Sequence, residues 1–130
     1  MKQITIVAKD HPGLMADISE LMLKAGVNIE SLDAEQVGAR AAIVMTVDRY
    51  DTALQALRSA HFQAVTEDAI LVKLEDHPGA LAAIARRFKD AGINLRSIRS
   101  LSRDAGTSIV AISTERTKEA MELVKDVLIS

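Results

Sequence analysis

The tetrapeptide Asp-His-Pro-Gly stands at positions 10–13 and again at 76–79. Each copy sets a carboxylate, an imidazole and a glycine side by side. Where a strand feeds a helix through such a glycine, several backbone N–H groups gather without partners, and the helix dipole favours negative charge there. Gly13 and Gly79 carry no side chain to bar an approaching ligand. A carboxylate is a natural occupant. Asn28 and Asn94 each follow at the same distance along the chain. An Asn amide offers both a donor and an acceptor, so it suits the two ends of an α-amino acid. Asp10 and Asp76 offer a negative partner for the ammonium.

His11 and His77 invite a metal or acid–base reading. Each has one Asp beside it and no second His nearby, and a metal site needs two or three further ligands. With no Cys in the chain, thiol catalysis, disulfides and Cys-based zinc sites are excluded. No Gly-x-Ser-x-Gly elbow, phosphate loop or dinucleotide fingerprint is present. No cofactor is expected. The plainest structural alternative makes Asp-x-Pro-Gly a helix start and Gly-x-Asn a tight helix-to-strand turn.

The elements that hold these residues are themselves repeated. Residues 10–32, "DHPGLMADISELMLKAGVNIESL", align without a gap on 76–98, "DHPGALAAIARRFKDAGINLRSI", and ten of the 23 positions are identical. Beyond the tetrapeptide these are Ala16/Ala82, Ile18/Ile84, Ala25/Ala91, Gly26/Gly92, Asn28/Asn94 and Ser31/Ser97. The offset of 66 extends to Ile4/Ile70 and to Ile43-Val44/Ile109-Val110. An alternating strand precedes each tetrapeptide: Ile4, Ile6 and Ala8, or Ile70, Val72 and Leu74. Asp then serves as N-cap and Pro as a first-turn residue. Leu14, Ile18, Leu21, Met22 and Ala25 form one helix face, matched by Leu81, Ile84, Ala85, Phe88 and Ala91. Gly26 and Gly92 stop the helices. A strand, a turn at Gly38 or Gly106, a third strand and a second helix (around 52–60 and 117–128) follow. "FQAVTED" supplies a fourth strand to the first copy only.

The expected fold is therefore α+β: two ferredoxin-like βαββαβ units in tandem, residues 1–67 and 68–130. Each has an antiparallel sheet with helices on one face, and the second lacks a clear final strand.

Composition narrows the function classes. The net charge is −2 with no long run of one sign, and the only aromatics are Tyr50, Phe62 and Phe88. A phosphate backbone or anionic membrane finds no basic patch here, and single-stranded nucleic acid finds no stacking platform. No segment is apolar enough to span a bilayer, and "MKQITIVAKD" has no signal-peptide character. The expected location is the cytoplasm. An acylphosphatase-like hydrolase on this frame wants an Arg in the first loop, where Asp and His stand instead.

The Asp-x-Pro-Gly loop, the Ala-Gly-Val/Ile-Asn-Ile/Leu helix ending and the βαββαβ order together resemble the ACT domain, across essentially all of both units. That family is made of small-molecule-binding regulatory modules attached to enzymes of amino-acid metabolism. The resemblance implies a regulatory protein without catalytic activity that binds an amino acid where two ACT units meet. It implies assembly as a homodimer or higher oligomer, and a metabolic enzyme as partner. It places Asp10, His11, Gly13 and Leu14, with Asp76, His77, Gly79 and Ala80, against the ligand. Asn28-Ile29 and Asn94-Leu95 face the ligand from the second strand. The change from Leu14 to Ala80 leaves two readings: two sites of different size, or only one site in use. Opposite charges also stand at matching positions on the second strands: Glu30 against Arg96, Asp33 against Arg99, and Glu35 loosely against Arg103. A structural interaction module with silent ligand sites is the alternative.

Overall fold

The computed structural model of the protein describes residues 2–129. It divides into two compact units, Met1–Glu67 and Asp68–Ser130. The first unit runs β1 (Lys2–Lys9), α1 (Leu14–Lys24), β2 (Ile29–Val37), β3 (Arg40–Val47), α2 (Tyr50–Ser59) and β4 (Gln63–Val65). Its antiparallel sheet has the order β2-β3-β1-β4. The second runs β5 (Ala69–Glu75), α3 (Ala80–Asp90), β6 (Leu95–Asp104), β7 (Thr107–Thr114) and α4 (Thr117–Leu123), with sheet order β5-β7-β6. The fold is the expected α+β pair of ferredoxin-like units.

Each core lies between helices and sheet. In the first unit Ile4 and Ile6 of β1, Ile43 and Met45 of β3, Ile18 and Met22 of α1 and Leu57 of α2 are fully buried together. In the second, Ile70 and Val72, Val110 and Ile112, Ile84 and Phe88, and Ala120 and Val124 do the same work. The period of two in the strands and of about four in the helices brings these side chains to one layer. Phe88 stands where the first unit has Met22, so the larger ring fills a core drawn from fewer residues.

The helices end as glycine predicts. Gly26 and Gly92 take φ of 72° and 69°. Val27 N–H then reaches Met22 C=O at 2.9 Å and Gly26 N–H reaches Leu23 C=O at 3.1 Å. Ile93 and Gly92 repeat both bonds onto Phe88 and Lys89. This is the Schellman motif, and the residue after each glycine is buried, as the motif favours. His61 ends α2 in the same way, at φ 67° without the glycine. Its N–H reaches Arg58 C=O at 3.0 Å and that of Phe62 reaches Leu57 C=O at 2.9 Å.

Three sequence expectations are corrected here. First, Asp10 and Asp76 are not N-caps. The helices begin four residues later, at Leu14 and Ala80, and Gly13 and Gly79 hold the cap position with φ of 88° and no side-chain cap bond. Second, the last helix stops at Leu123 rather than near 128. The chain turns back, and residues 127–129 lie along β5. Lys73 N–H donates to Val127 C=O and Ile129 N–H to Leu71 C=O, both at 2.8 Å, around a single bridge between Val72 and Leu128. The second unit thus carries a rudimentary fourth strand on β5, the place β4 takes on β1. Arg87 of α3 clamps this tail with two bonds to Asp126, at 2.7 and 3.0 Å.

Third, the repeat offset changes from 66 to 67 within β6. Ile6 faces Ile43 and Val72 faces Val110, so Ile43 matches Val110, not Ile109. The extra residue is Leu101, in a bulge between Ser100 and Ser102. In consequence Glu35 matches Ser102, and the counterpart of Arg103 is Gln36. The pairs Glu30/Arg96 and Asp33/Arg99 precede the bulge and keep their match.

Candidate functional site

The Asp-His-Pro-Gly segments are type II β-turns. Leu14 N–H closes onto His11 C=O, and Ala80 N–H onto His77 C=O, each at 3.2 Å. Pro stands at the second position and Gly at the third, with φ, ψ of 88°, 0° and 88°, −5°. A side chain at that φ is strained in any L-residue. A Cβ at Gly13 or Gly79 would meet no atom within 4 Å, so conformation demands the glycine, and the space in front of it is open. The entrance to each turn is tied to the far hairpin: Asp10 N–H to Ala39 C=O at 3.0 Å, Asp76 N–H to Gly106 C=O at 2.9 Å.

The imidazoles are held by their own turns. His11 Nδ1 lies 2.8 Å from Pro12 C=O, and His77 Nδ1 lies 2.9 Å from Pro78 C=O. A carbonyl only accepts, so Nδ1 carries the proton in both. Nε2 is left facing a carboxylate at 3.9 Å: Asp17 for His11, Glu75 for His77. Both rings are about half exposed. Among the described residues no three His, Cys, Asp or Glu side chains gather as a metal would require, and no helix is long and apolar enough to cross a membrane.

Within a unit, the structure does not bring the turn and the asparagine together. Asn28 and Ile29 lie beyond the C-terminus of α1, whose eleven residues separate them from the turn by about 16 Å. Asn28 N–H donates to Asp48 Oδ1 at 2.9 Å, at the opposite end of β3 from Ala39. Asn94 and Leu95 occupy the same place in the second unit, where Thr114 Oγ1 donates to Asn94 C=O at 2.7 Å. Both asparagines are exposed, and Asn94 and Leu95 line a shallow hollow with Phe88 and Ile93.

In the second unit the turn opens onto a cavity of about 250 Å³. Asp76, His77, Gly79 and Ala80 form one wall, Leu74 and Leu81 add apolar surface, and Ser100, Arg103 and Ser108 close the other side. Arg103 Nε stands 3.7 Å from Asp76 Oδ1. The Ser100 and Ser108 hydroxyls are 3.0 Å apart, and Ser108 is only 6% exposed. In such a pair one proton is donated across, and the acceptor's own proton stays available to a ligand.

Sequence reasoning missed Ser100, Arg103 and Ser108. Ser108 had a signal: in "TSIVAIS" it keeps phase with the buried Val110 and Ile112, so a hydroxyl points to the core face. Arg103 had none, because the bulge shifts it into line. Residues three apart in a regular strand face opposite ways, but the added Leu101 lets Ser100 and Arg103 share a face, opposite Val110 and Ser108.

In the first unit the matching positions read differently. Leu14 replaces Ala80 and is 5% exposed, packed into the core. Ala8, Ala34, Gln36 and Ala41 stand for Leu74, Ser100, Arg103 and Ser108.

These two units, with a glycine turn leading into the first helix of each, define a pair of ferredoxin-like domains. Family models sharpen this. Residues 4–61 match the AHAS small subunit-like ACT domain, and residues 69–128 match the ACT domain. The chain belongs to the ACT-domain family and carries one such domain in each half. Among curated proteins none matches it by sequence. Similar solved structures include a protein of Bacteroides thetaiotaomicron, 21% identical, covering 98% of this chain and 90% of that one with a TM-score of 0.49. The regulatory subunit of aspartate kinase from Thermus thermophilus is 20% identical over 96% of this chain and 91% of its own, TM-score 0.45. The acetolactate synthase small subunit from Thermotoga maritima is 13% identical over 99% and 89%, TM-score 0.42.

Proposed function

We propose that this chain is a non-catalytic sensor of an amino acid that regulates an enzyme of amino-acid metabolism. The observation that carries the reading is the second-unit turn: a type II glycine turn on an ACT domain, opening onto a cavity that holds both a guanidinium and a carboxylate. A cavity of this size, with an apolar wall and a few placed polar groups, suits a small metabolite. Asn28 and Asn94 sit too far from the turn of their own unit to share one ligand with it. They complete a site only when another ACT unit, as in a second copy of the chain, brings its Asn end to the turn. A homodimer or higher oligomer, located in the cytoplasm, fits this reading. Ligand binding then changes assembly, or the partner's activity, by its difference in affinity for the two arrangements.

Thermal unfolding in the presence of each common amino acid at millimolar concentration tests this. A ligand at a hundred times its dissociation constant adds about 2.7 kcal/mol, a rise of several degrees for a domain of this size. One or two amino acids are expected to shift the transition. No shift with any of them would leave a silent interaction module, a reading that the filled first-unit position at Leu14 already favours for that half of the chain.

A further inference from the structure

We propose that only the second unit carries a competent turn site, and that Arg103 with Asp76 reads the zwitterion of a small α-amino acid there. This rests on the sensing function proposed above and names the site and the ligand class.

The argument begins with the charged pair. Arg103 and Asp76 approach to 3.7 Å, longer than a hydrogen bond, and the guanidinium is 65% exposed against 37% for the carboxylate. Such a pair is loosely engaged, and a guanidinium carries five N–H donors with which to hold a carboxylate. An α-amino acid carries its own carboxylate and ammonium at similar separation. Laid against the pair in the opposite sense, its carboxylate meets Arg103 and its ammonium meets Asp76. Four charges then alternate, and no existing contact need break. A carboxylic acid without the ammonium faces Asp76 with nothing to offer it, and an amine without the carboxylate faces Arg103 in the same way.

Size follows from the rest of the wall. Ala80 leaves the cavity floor open, while the total volume is about 250 Å³. The spare hydroxyl proton of the Ser100–Ser108 pair gives a side chain one donor inside a site where Ser108 is more than nine-tenths buried. A small side chain fits here, above all one with an oxygen to accept that proton. A large apolar side chain covers that proton without accepting it, where a smaller one leaves room for water. The first unit keeps the aspartate, as Asp10, but has none of the other parts. Gln36 is uncharged, Ala34 and Ala41 have no hydroxyl, and Leu14 is folded into the core at the position of Ala80.

Isothermal titration of the full-length protein tests this with glycine, L-alanine, L-serine, L-leucine and L-phenylalanine, and with 3-hydroxypropionate and ethanolamine as the two half-charged analogues of serine. Small amino acids are expected to bind, the analogues and the large amino acids not. Arg103→Gln, which copies the first unit at an exposed position, is expected to weaken binding at least tenfold while the unliganded melting temperature stays put. Gln36→Glu in the first unit is expected to change nothing. If the small amino acids bind and Arg103→Gln binds as well as wild type, the zwitterion site is overturned while sensing survives. Selective binding of L-phenylalanine or L-leucine overturns the size argument. If no amino acid binds at all, the sensing function falls, and this site with it.

Discussion

The two units share a turn but not the space beside it. At 11–14 and 77–80 the backbone follows the same type II path, down to a glycine φ of 88° in both. One residue later they part: Leu14 is buried in a core, and Ala80 lines a cavity with an arginine and two serines. A duplicated loop therefore cannot be read as a duplicated site. The backbone of the turn sets where a ligand can approach, and the side chains across from it decide whether there is room and charge to keep one.

Exchanging the differing residues should break this contrast, and the largest effect is expected in the first unit. Leu14→Ala removes a buried side chain and should cost about 2–5 kcal/mol, read by chemical denaturation. Ala80→Leu makes the opposite change at a half-buried position. It should leave stability within about 1 kcal/mol, since the space is open rather than packed, yet abolish any ligand-induced rise in melting temperature. Equal costs for the two changes would mean that the cavity is no real difference. Gly13→Ala and Gly79→Ala sharpen the shared half of the comparison. Each should cost about 1–2 kcal/mol from left-handed strain alone, and the two should agree, since neither Cβ meets a neighbour. Gly79→Ala should also weaken ligand binding and Gly13→Ala should not.

The smallest effect concerns the tail of the second unit. The Arg87 guanidinium hydrogen-bonds Asp126 and holds its carboxyl below the ordinary 3.8. A carboxyl depressed on folding stabilises above its unfolded value and loses that contribution as pH falls through the lower, folded one. The tail clamp should thus be intact at neutral pH and release only below about pH 4, the ordinary carboxylate range. The protection of the Lys73 and Ile129 amides against hydrogen exchange, relative to the intrinsic rate at each pH, should fall there, and in Asp126→Asn at neutral pH. The β1–β4 amides of the first unit, whose fourth strand is held instead by Arg58 Nη2 donating to Ala64 C=O at 3.4 Å, should show no matching change in Asp126→Asn.

Much of the fold was legible because it depends on local rules. Alternating Ile and Val placed the strands, i, i+4 spacing placed the helix faces, and Gly26 and Gly92 marked the Schellman ends. The turn residues were legible too, though their role was misjudged. Pro-Gly in succession is the signature of a type II turn, and reading Asp as an N-cap moved the helix start too early. The fourth strand of the second unit escaped because one bridge and two hydrogen bonds leave almost no sequence pattern. The cavity wall escaped for a different reason. An ungapped alignment at 66 carries past Ser100, and it therefore compares Ser108 with Ala42 and Arg103 with Val37. A single inserted residue hid the polar half of the site.

That insertion has another effect. β6 is the edge strand of its sheet, and it is irregular twice, between Leu95 and Ser97 and between Ser100 and Ser102. An edge that is even and unbroken is a template on which any extended chain can dock and keep growing. Two breaks in spacing, among exposed arginines at 96, 99 and 103, leave no long run of evenly spaced donors and acceptors to copy. The same bulge that brings Arg103 onto the face of Ser100 makes this edge a poor seed for aggregation, so straightening β6 by deleting Leu101 would put solubility at risk as well as the site.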